Sequence, residues 1–501
     1  MKANDEDVDL MKKEKKGEGI YNVIVIGAGT AGLVTAAGTA GLGGRVALIE
    51  RNLMGGDCLN FGCVPSKALI SSARLIQQIR DAGKWGLERQ QPQFVFERVF
   101  DRMRARRAKI APNDSKERFE SLGVDVFRGE AHFVSPHEVE VNGQKLRAKN
   151  FVIATGSRAV IPKIEGIAAA PYLTNETIFD ELIEKPESMI VLGGGPIGCE
   201  LGQALSRLGV KTTIVEYAPQ ILPPEDVDVA EFMQKRFETE GITIQHCTEA
   251  TRVSVRDGVI TLDGNYKPPG AAQGSPVQFT ADALLLAVGR CPMMKALNLE
   301  AAGVKYTSNG VEVNDYMQSS QPQIYAAGDI ANRLKFTHTA DFTARVVIRN
   351  ILMPFQFLRQ KVNCAIVPWC TYSDPEVAHV GLGEKEAKQK NVDYDLFVVR
   401  LEDVDRAVVE SEDAGFAKIL TAKGSDKILG ATIVAPHAGD LLHEFVLAMN
   451  ANVGLGKIAT MIHAYPTFAE LARKAGDKYN KTRLTPRAKK IFTWLYQRAR
   501  K

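Results

Sequence analysis

An α/β fold is predicted, with two Rossmann-like dinucleotide-binding domains followed by a C-terminal α+β domain, and three observations predict it. A glycine-rich turn, Gly27-Ala-Gly-Thr-Ala-Gly32, follows an apolar strand and opens a helix. A second copy, Gly193-Gly-Gly-Pro-Ile-Gly198, lies in the same setting downstream. From about Asn363 the pattern changes to alternating strands interleaved with helical stretches. At 501 residues, 45% apolar and 24% charged, the chain suits about three domains and can bury a large core. A net charge of +4 with no long basic block inside the body does not imply nucleic acid.

Residues 1–20, with Asp5-Glu-Asp7 and Lys12-Lys-Glu-Lys-Lys16, read as a flexible solvated tail. Tyr21 to Ile26 is a buried strand, Thr30 to about Gly41 a helix, and Val46 to Ile49 the next strand, ending in Glu50. The uncharged run 21–44 resembles a membrane span, but seven of its residues are glycine, and a strand, turn and helix explain it better. The second unit repeats this order: Met189 to Leu192, the turn, a helix to about Leu208, then Thr212 to Val215 ending in Glu216. Each unit continues through short strands with a turn signal, Val141-Asn-Gly143 or Arg256-Asp-Gly258. An apolar strand then closes on Ala154-Thr155-Gly156 or Ala287-Val-Gly289. Pro268 to Pro276 is a surface loop inside the second unit. In the last domain, Leu396 to Leu401 and Ile428 to Val434 are strands and His437 to Asn450 is helical. Residues 481–501 form a basic amphipathic helix with Thr485 as cap, Pro486 at its first position and apolar residues at 488, 491, 492, 495 and 499. Such helices more often dock on their own body than on anionic lipid.

In the first turn Gly27 permits the tight bend, Gly29 lets backbone approach a pyrophosphate and Gly32 lets helix and strand pack closely, while Glu50 can bond a ribose hydroxyl. Gly193, Gly195, Gly198 and Glu216 repeat the set, so two dinucleotides are implied. Glu216 would repel a 2′-phosphate and favours NADH over NADPH, with Arg207 and Lys211 nearby as the opposing signal. Cys58 and Cys63 stand five positions apart in Gly55-Gly-Asp-Cys-Leu-Asn-Phe-Gly-Cys-Val-Pro-Ser-Lys67, shortly after the first turn. They can reach disulfide distance if the loop curls back before the helix that Pro65 opens. A dithiol beside a dinucleotide points to electron transfer. The other cysteines, 199, 247, 291, 364 and 370, sit singly or in apolar surroundings and read as packed thiols. None offers paired C-x-x-C zinc spacing, and no resident metal is expected. Lys67 and Glu200 read as surface charges or as a pair beside a flavin. His463-Ala-Tyr-Pro-Thr-Phe-Ala-Glu470 is the last polar cluster, in which an isolated histidine would usually serve packing or hydrogen bonding.

Together these stretches resemble the class I FAD-dependent pyridine nucleotide-disulfide oxidoreductases, the glutathione reductase, dihydrolipoyl dehydrogenase and mercuric reductase group, over about residues 21–480. Gly55 to Lys67 is the most specific stretch, and Ala287-Val-Gly289-Arg290, Ile324-Tyr-Ala-Ala-Gly-Asp329 and Ser373-Asp-Pro-Glu376 support it in family order. The resemblance implies a FAD-binding domain over 21–170 and 291–362, a NAD(P)-binding domain over 171–290 and a dimerisation domain over 363–480. It implies that the first turn and Glu50 hold the ADP half of FAD, that Asp329 meets its ribityl or pyrophosphate portion, that the second turn and Glu216 hold NADH or NADPH, and that Thr155, Gly156, Gly289 and Arg290 of the two strand closings also bind cofactor. Hydride would pass beside Lys67 and Glu200. Cys63 would be the thiolate nearest the flavin and Cys58 the thiol that meets the acceptor. In a homodimer the C-terminal cluster would enter the partner's site.

The sequence departs from the pattern at Tyr465. Disulfide-reducing and lipoamide-oxidising members place histidine there, before Pro-Thr and five residues ahead of the glutamate, whereas here His463 comes two positions early. A tyrosine of pKa near 10 accepts protons poorly at neutral pH. Mercuric reductases also place tyrosine in this region, so that branch is favoured, with a small molecule or metal ion as acceptor. Against it, the chain ends in Arg498-Ala-Arg-Lys501 with no vicinal cysteines, and no metal-binding Cys-x-x-Cys module precedes residue 21. Dihydrolipoyl dehydrogenase, with His463 or Tyr465 moving the proton, and another disulfide or quinone reductase are the alternatives. An odd count of seven cysteines and no cleavable leader suggest a cytoplasmic protein, with peripheral membrane contact through the last helix as a further alternative.

Overall fold

The computed structural model describes residues 16–331 and 334–500, so the tail expected over 1–20 lies, through residue 15, outside the described residues. The first sheet runs in the order Val124–Arg128, Val46–Glu50, Ile20–Ile26, Gln144–Ile153, Glu138–Val141, Ala131–Ser135, with Ile324–Ala326 added beside Gln144–Ile153. Its centre is parallel, with Val25 opposite Leu48 and Val152, and the helix Thr30–Gly41 connects Ile20–Ile26 to Val46–Glu50. Strands buried on both faces must be apolar throughout, which is why Tyr21 and Val23 to Ile26 are almost inaccessible. Asn142 and Gly143 both have positive φ, as a two-residue hairpin needs where Glu138–Val141 turns into Gln144–Ile153.

The second unit repeats the plan. Thr243–Gln245, Lys211–Val215, Ser188–Leu192, Ala283–Leu286 and Tyr172–Leu173 form a parallel sheet, and Thr248–Arg256, Val259–Tyr266 and Ser275–Ala281 form the accompanying antiparallel meander. In the first unit one ten-residue strand serves both layers. In the second, the chain breaks at Asp282 and two strands do so. The loop at Pro268 spans residues 267–274 between the last two meander strands, close to the expected position.

The C-terminal unit is a five-stranded antiparallel sheet, Pro368–Thr371, Glu376–Gly381, Ile428–Ala435, Phe416–Ala422 and Tyr394–Arg400. The helices His443–Asn450, Leu455–Ile458 and Glu470–Thr482 pack on it through Phe445, Leu455, Leu471 and Ala475. Buried charges bind this unit to the second. The Lys418 ammonium lies 2.9 Å from Asp226 and Asp228 and 2.6 Å from Glu384, and Arg207 joins Glu240 and Asp374 at 2.7 Å each. Paired on every side, these ions escape the penalty of an isolated buried charge.

Three sequence expectations change. The helix after the dithiol spans Cys63–Arg80, so it starts at Cys63 and not at Pro65. Proline is tolerated anywhere in a first turn whose N–H groups lack helical acceptors, so it marks the turn and not its first residue. Arg207 is consumed by Glu240 and Asp374, and Lys211 begins the strand that ends beside Glu216, so neither opposes the Glu216 charge. The terminal helix, Pro486–Arg498, forms with Thr485 Oγ1 accepting from the Ala488 N–H, but none of its residues is buried. Among the described residues it has no surface to dock on. No described helix is long and apolar enough to cross a membrane.

Candidate active site

Both units put their carboxyl-terminal strand edges to the same use. In the first, the Glu50 carboxylate accepts from the Ala28 N–H at 2.6 Å and the Asn52 N–H at 2.7 Å. In the second, Glu216 accepts from the Gly194 and Ala218 N–H groups at 2.6 Å each. A side chain at Gly32 would meet the Gly27 carbonyl at 1.8 Å, and one at Gly198 the Gly193 carbonyl at 1.9 Å, so only glycine allows these helix-strand approaches. Gly27 and Gly193 also hold φ of 104° and 107°. Neither following helix has a side-chain cap, which leaves first-turn N–H groups for a ligand or water.

A cavity of about 1280 Å³ runs from Gly27, Gly29 and Glu50 to the dithiol. The chain after residue 52 closes over its nucleotide end: a Cβ on Gly56 would lie 2.5 Å from Gly29 Cα, and Gly56 itself has φ of 59°. Pro196, Ile197 and Glu200 of the second unit's helix complete the wall beside Cys58, Cys63 and Lys67. The glycine cradle, the uncapped helix and the carboxylate fit the nucleotide of FAD.

Cys63 stands at the first position of its helix, where backbone N–H groups favour negative charge. Its thiol is pushed well below the ordinary range by the hydrogen bond from Cys58, against burial, with the Lys67 ammonium and the Thr337 hydroxyl, 3.4 Å away, adding to the effect. The bond donated to Cys63 and burial push Cys58 up. The two sulfurs are thus unequal, as a relay between unlike partners requires. Lys67 Nζ donates to Glu200 Oε2 at 2.7 Å and lies 4.4 Å from the Tyr372 ring, while the Tyr372 N–H donates to Glu200 Oε1 at 2.9 Å. Burial lowers the Lys67 ammonium, but Glu200 and Cys63 outweigh it and hold the group charged.

Arg290 donates to Ser157 Oγ and Ser157 O at 2.9 Å each and reaches Asp57 at 3.0 Å, and Ser157 Oγ donates to Asp329 at 2.5 Å. Burial raises Asp329, with Ser157 and Arg290 working against it. Thr155 Oγ1 donates to the Met293 carbonyl at 2.7 Å, so the closing turns of the two units meet. Arg290 thus lies among the cavity residues of the first unit, next to Asp329. Asp57, Ser157, Thr337 and Tyr372 were not singled out by sequence reasoning. Tyr372 directly precedes the recognisable Ser373-Asp-Pro-Glu376, and Thr337 follows Asp329 by eight positions, and those were the available signals.

The C-terminal cluster does not join this cavity within the chain. His463 Nε2 pairs with Glu444 Oε1 at 3.0 Å, Tyr465 is exposed and donates to Asp405 at 2.9 Å, and Glu470 accepts from Arg473 at 2.8 Å. Glu470 Oε2 is buried without a partner among the described residues.

Such an arrangement can carry two electrons between a bound nucleotide and a sulfur pair, the chemistry of a dinucleotide-dependent dithiol oxidoreductase. Residues 21–344 match the family described as pyridine nucleotide-disulphide oxidoreductase, and residues 367–475 match its dimerisation domain. A mercuric reductase of Lysinibacillus sphaericus is 32% identical over 466 residues, 92% of this chain and 83% of that protein. A dihydrolipoyl dehydrogenase of Geobacillus stearothermophilus is 33% identical over 459 residues, 91% of this chain and 95% of that protein. The solved HOCl-induced flavoprotein disulfide reductase RclA from Escherichia coli superposes with a TM-score of 0.79 at 26% identity, covering 91% of this chain and 99% of its own. The chain belongs to the class I pyridine nucleotide-disulfide oxidoreductase family and is a FAD-dependent enzyme, as its motifs indicated. The dimerisation match supports a homodimer.

Proposed function

We propose that this enzyme passes electrons from NADH through FAD and the Cys58/Cys63 pair to a soft metal ion, in the manner of a mercuric reductase. Tyr465 carries this reading. It stands where a disulfide reductase needs a proton-accepting histidine, and its bond to Asp405 holds its hydroxyl above the ordinary tyrosine range. A metal ion needs thiolate ligands more than a proton donor, and relatives named mercuric reductase are 30–32% identical to this chain.

Residues 21–170 with 291–362 hold FAD in this reading, 171–290 hold the nicotinamide nucleotide, and 363–480 form the dimer. FAD would be held by the first turn with Glu50 and by Thr155, Gly156 and Asp329, and when bound it accepts hydride and relays the electrons. Glu216, Gly193, Gly195, Gly198 and Gly289 receive NADH, preferred because the Glu216 carboxylate would repel a 2′-phosphate, and Arg290 anchors the neighbouring cavity wall. Lys67, held by Glu200, keeps a positive charge beside the reacting groups. A hydride equivalent, two electrons and one proton, converts the disulfide to the Cys63 thiolate and the Cys58 thiol. The overall reaction is NADH + Hg(II) → NAD⁺ + Hg(0) + H⁺. His463, Tyr465 and Glu470 serve the partner's cavity, since they do not line their own. A reducing cytoplasm suits the free thiols.

The His463–Glu444 pair favours one second reading, dihydrolipoyl dehydrogenase, because a carboxylate orients an imidazole for proton transfer. Purified enzyme should reduce Hg(II) with NADH faster than with NADPH, and at least about tenfold faster than it oxidises dihydrolipoamide with NAD⁺. Comparable rates on dihydrolipoamide, abolished by His463→Gln, would instead favour the second reading.

A further inference from the structure

The terminal helix leaves an apolar face that nothing among the described residues covers. Ile491, Phe492 and Leu495 are 59%, 51% and 47% exposed, and with Ala488 and Ala499 they fall within an arc of about 100° at 3.6 residues per turn. Tyr496 stands about 40° beyond one edge of that arc and Trp494 about 60° beyond the other, past Arg498 and Arg487, and the Arg498 guanidinium lies 5.6 Å from the Trp494 ring. Arg487 and Arg498 flank the apolar arc on one side and Lys489 on the other. None of these cations, nor Lys490, has an ion pair among the described residues. From residue 478 to residue 500 the chain has eight Lys and Arg and no Asp or Glu. A second element has the same character: Phe355 and Phe357, 59% and 82% exposed, stack at 5.6 Å on a loop whose carbonyls are bound by Arg349 and Arg359.

We propose that the Pro486–Arg498 helix lies in the headgroup layer of an anionic phospholipid bilayer, apolar arc inward and cations toward the phosphates, and tethers the enzyme to that surface. A narrow apolar stripe with cations on both flanks and aromatic rings beside those cations matches a helix lying flat in the interface. A second copy is a poorer occupant, because a two-fold contact would set the same cations against each other. At 13 residues the helix rests on a bilayer and does not cross it. The inference is independent of the acceptor.

The full-length holoenzyme is sedimented with vesicles of phosphatidylcholine alone or mixed with phosphatidylglycerol. At low salt, binding should be at least about tenfold stronger to the mixed vesicles, and it should fade toward 1 M salt, where the screening length falls to about 3 Å. Ile491→Ser with Phe492→Ser and Leu495→Ser should lose this binding while keeping full flavin and turnover on a soluble acceptor. Trp494 emission should shift to shorter wavelength with mixed vesicles, a change absent from Trp494→Phe. Equal binding to both vesicle types, or binding unchanged in the triple variant, would overturn the proposal. A drop in particle mass on removing residues 485–501 would assign the helix to a second copy instead.

Discussion

The two dinucleotide units share turn geometry almost atom for atom yet differ in what lies over the turn. Glu50 and Glu216 make the same pair of backbone hydrogen bonds, and Gly32 and Gly198 make the same close approach. Over the first turn the chain folds back, so that Gly29 faces Gly56 and the dithiol segment roofs a deep cavity. Over the second, a side chain at Gly195 would meet nothing within 4 Å, and Tyr217 beside Glu216 is 74% exposed. The turn sets what class of molecule is held. In the proposed reading the covering segment decides whether it stays between turnovers or exchanges.

The largest expected effect tests this directly. Gly32→Ala drives a methyl into the Gly27 carbonyl and should yield protein nearly devoid of flavin. Gly198→Ala should keep its flavin and raise the KM for NADH by about a hundredfold or more. Flavin absorbance per polypeptide and initial rates separate the two, and equal flavin loss in both variants would break the comparison. Of intermediate size is the effect of the ion pair joining the units. Because the Cys63 thiol is depressed, its thiolate should persist below the ordinary range near pH 8.5 and fade as pH falls through the lowered value. Lys67→Met should move that midpoint up by about one unit or more, and Glu200→Gln should move it down, as followed by iodoacetamide alkylation of reduced enzyme against pH. The smallest effect belongs to the carboxylates. Glu216→Gln should weaken NADH about tenfold and narrow the preference over NADPH, whereas Glu50→Gln should leave the KM for NADH unchanged and slow flavin retention instead.

Local geometry was legible in the sequence because glycine turns, strand closings and the dithiol are each specified within about ten residues. The first helix falls where periodicity places it, and the strand ends fall within about two residues of their expected positions. Contacts made across long separations were not legible. Thr337 reaches Cys63 over 274 positions, and Tyr372 reaches Glu200 over 172, and nothing in either residue's own neighbourhood announces that partner. Arg207 misled for the same reason: beside Glu216 in sequence logic, it is taken by Glu240 and Asp374 in space. The terminal helix was legible as a helix, from its cap and stripe, but an apolar stripe does not specify the surface that covers it.

The Lys418 junction has a mechanical consequence. Its ammonium sits among three carboxylates drawn from two units, and Trp369 Nε1 donates to Glu225 across the same seam. Separating the surfaces would take Asp226 and Asp228 away from that ammonium and lose both pairs, so the second unit is held to the unit matched as the dimerisation domain.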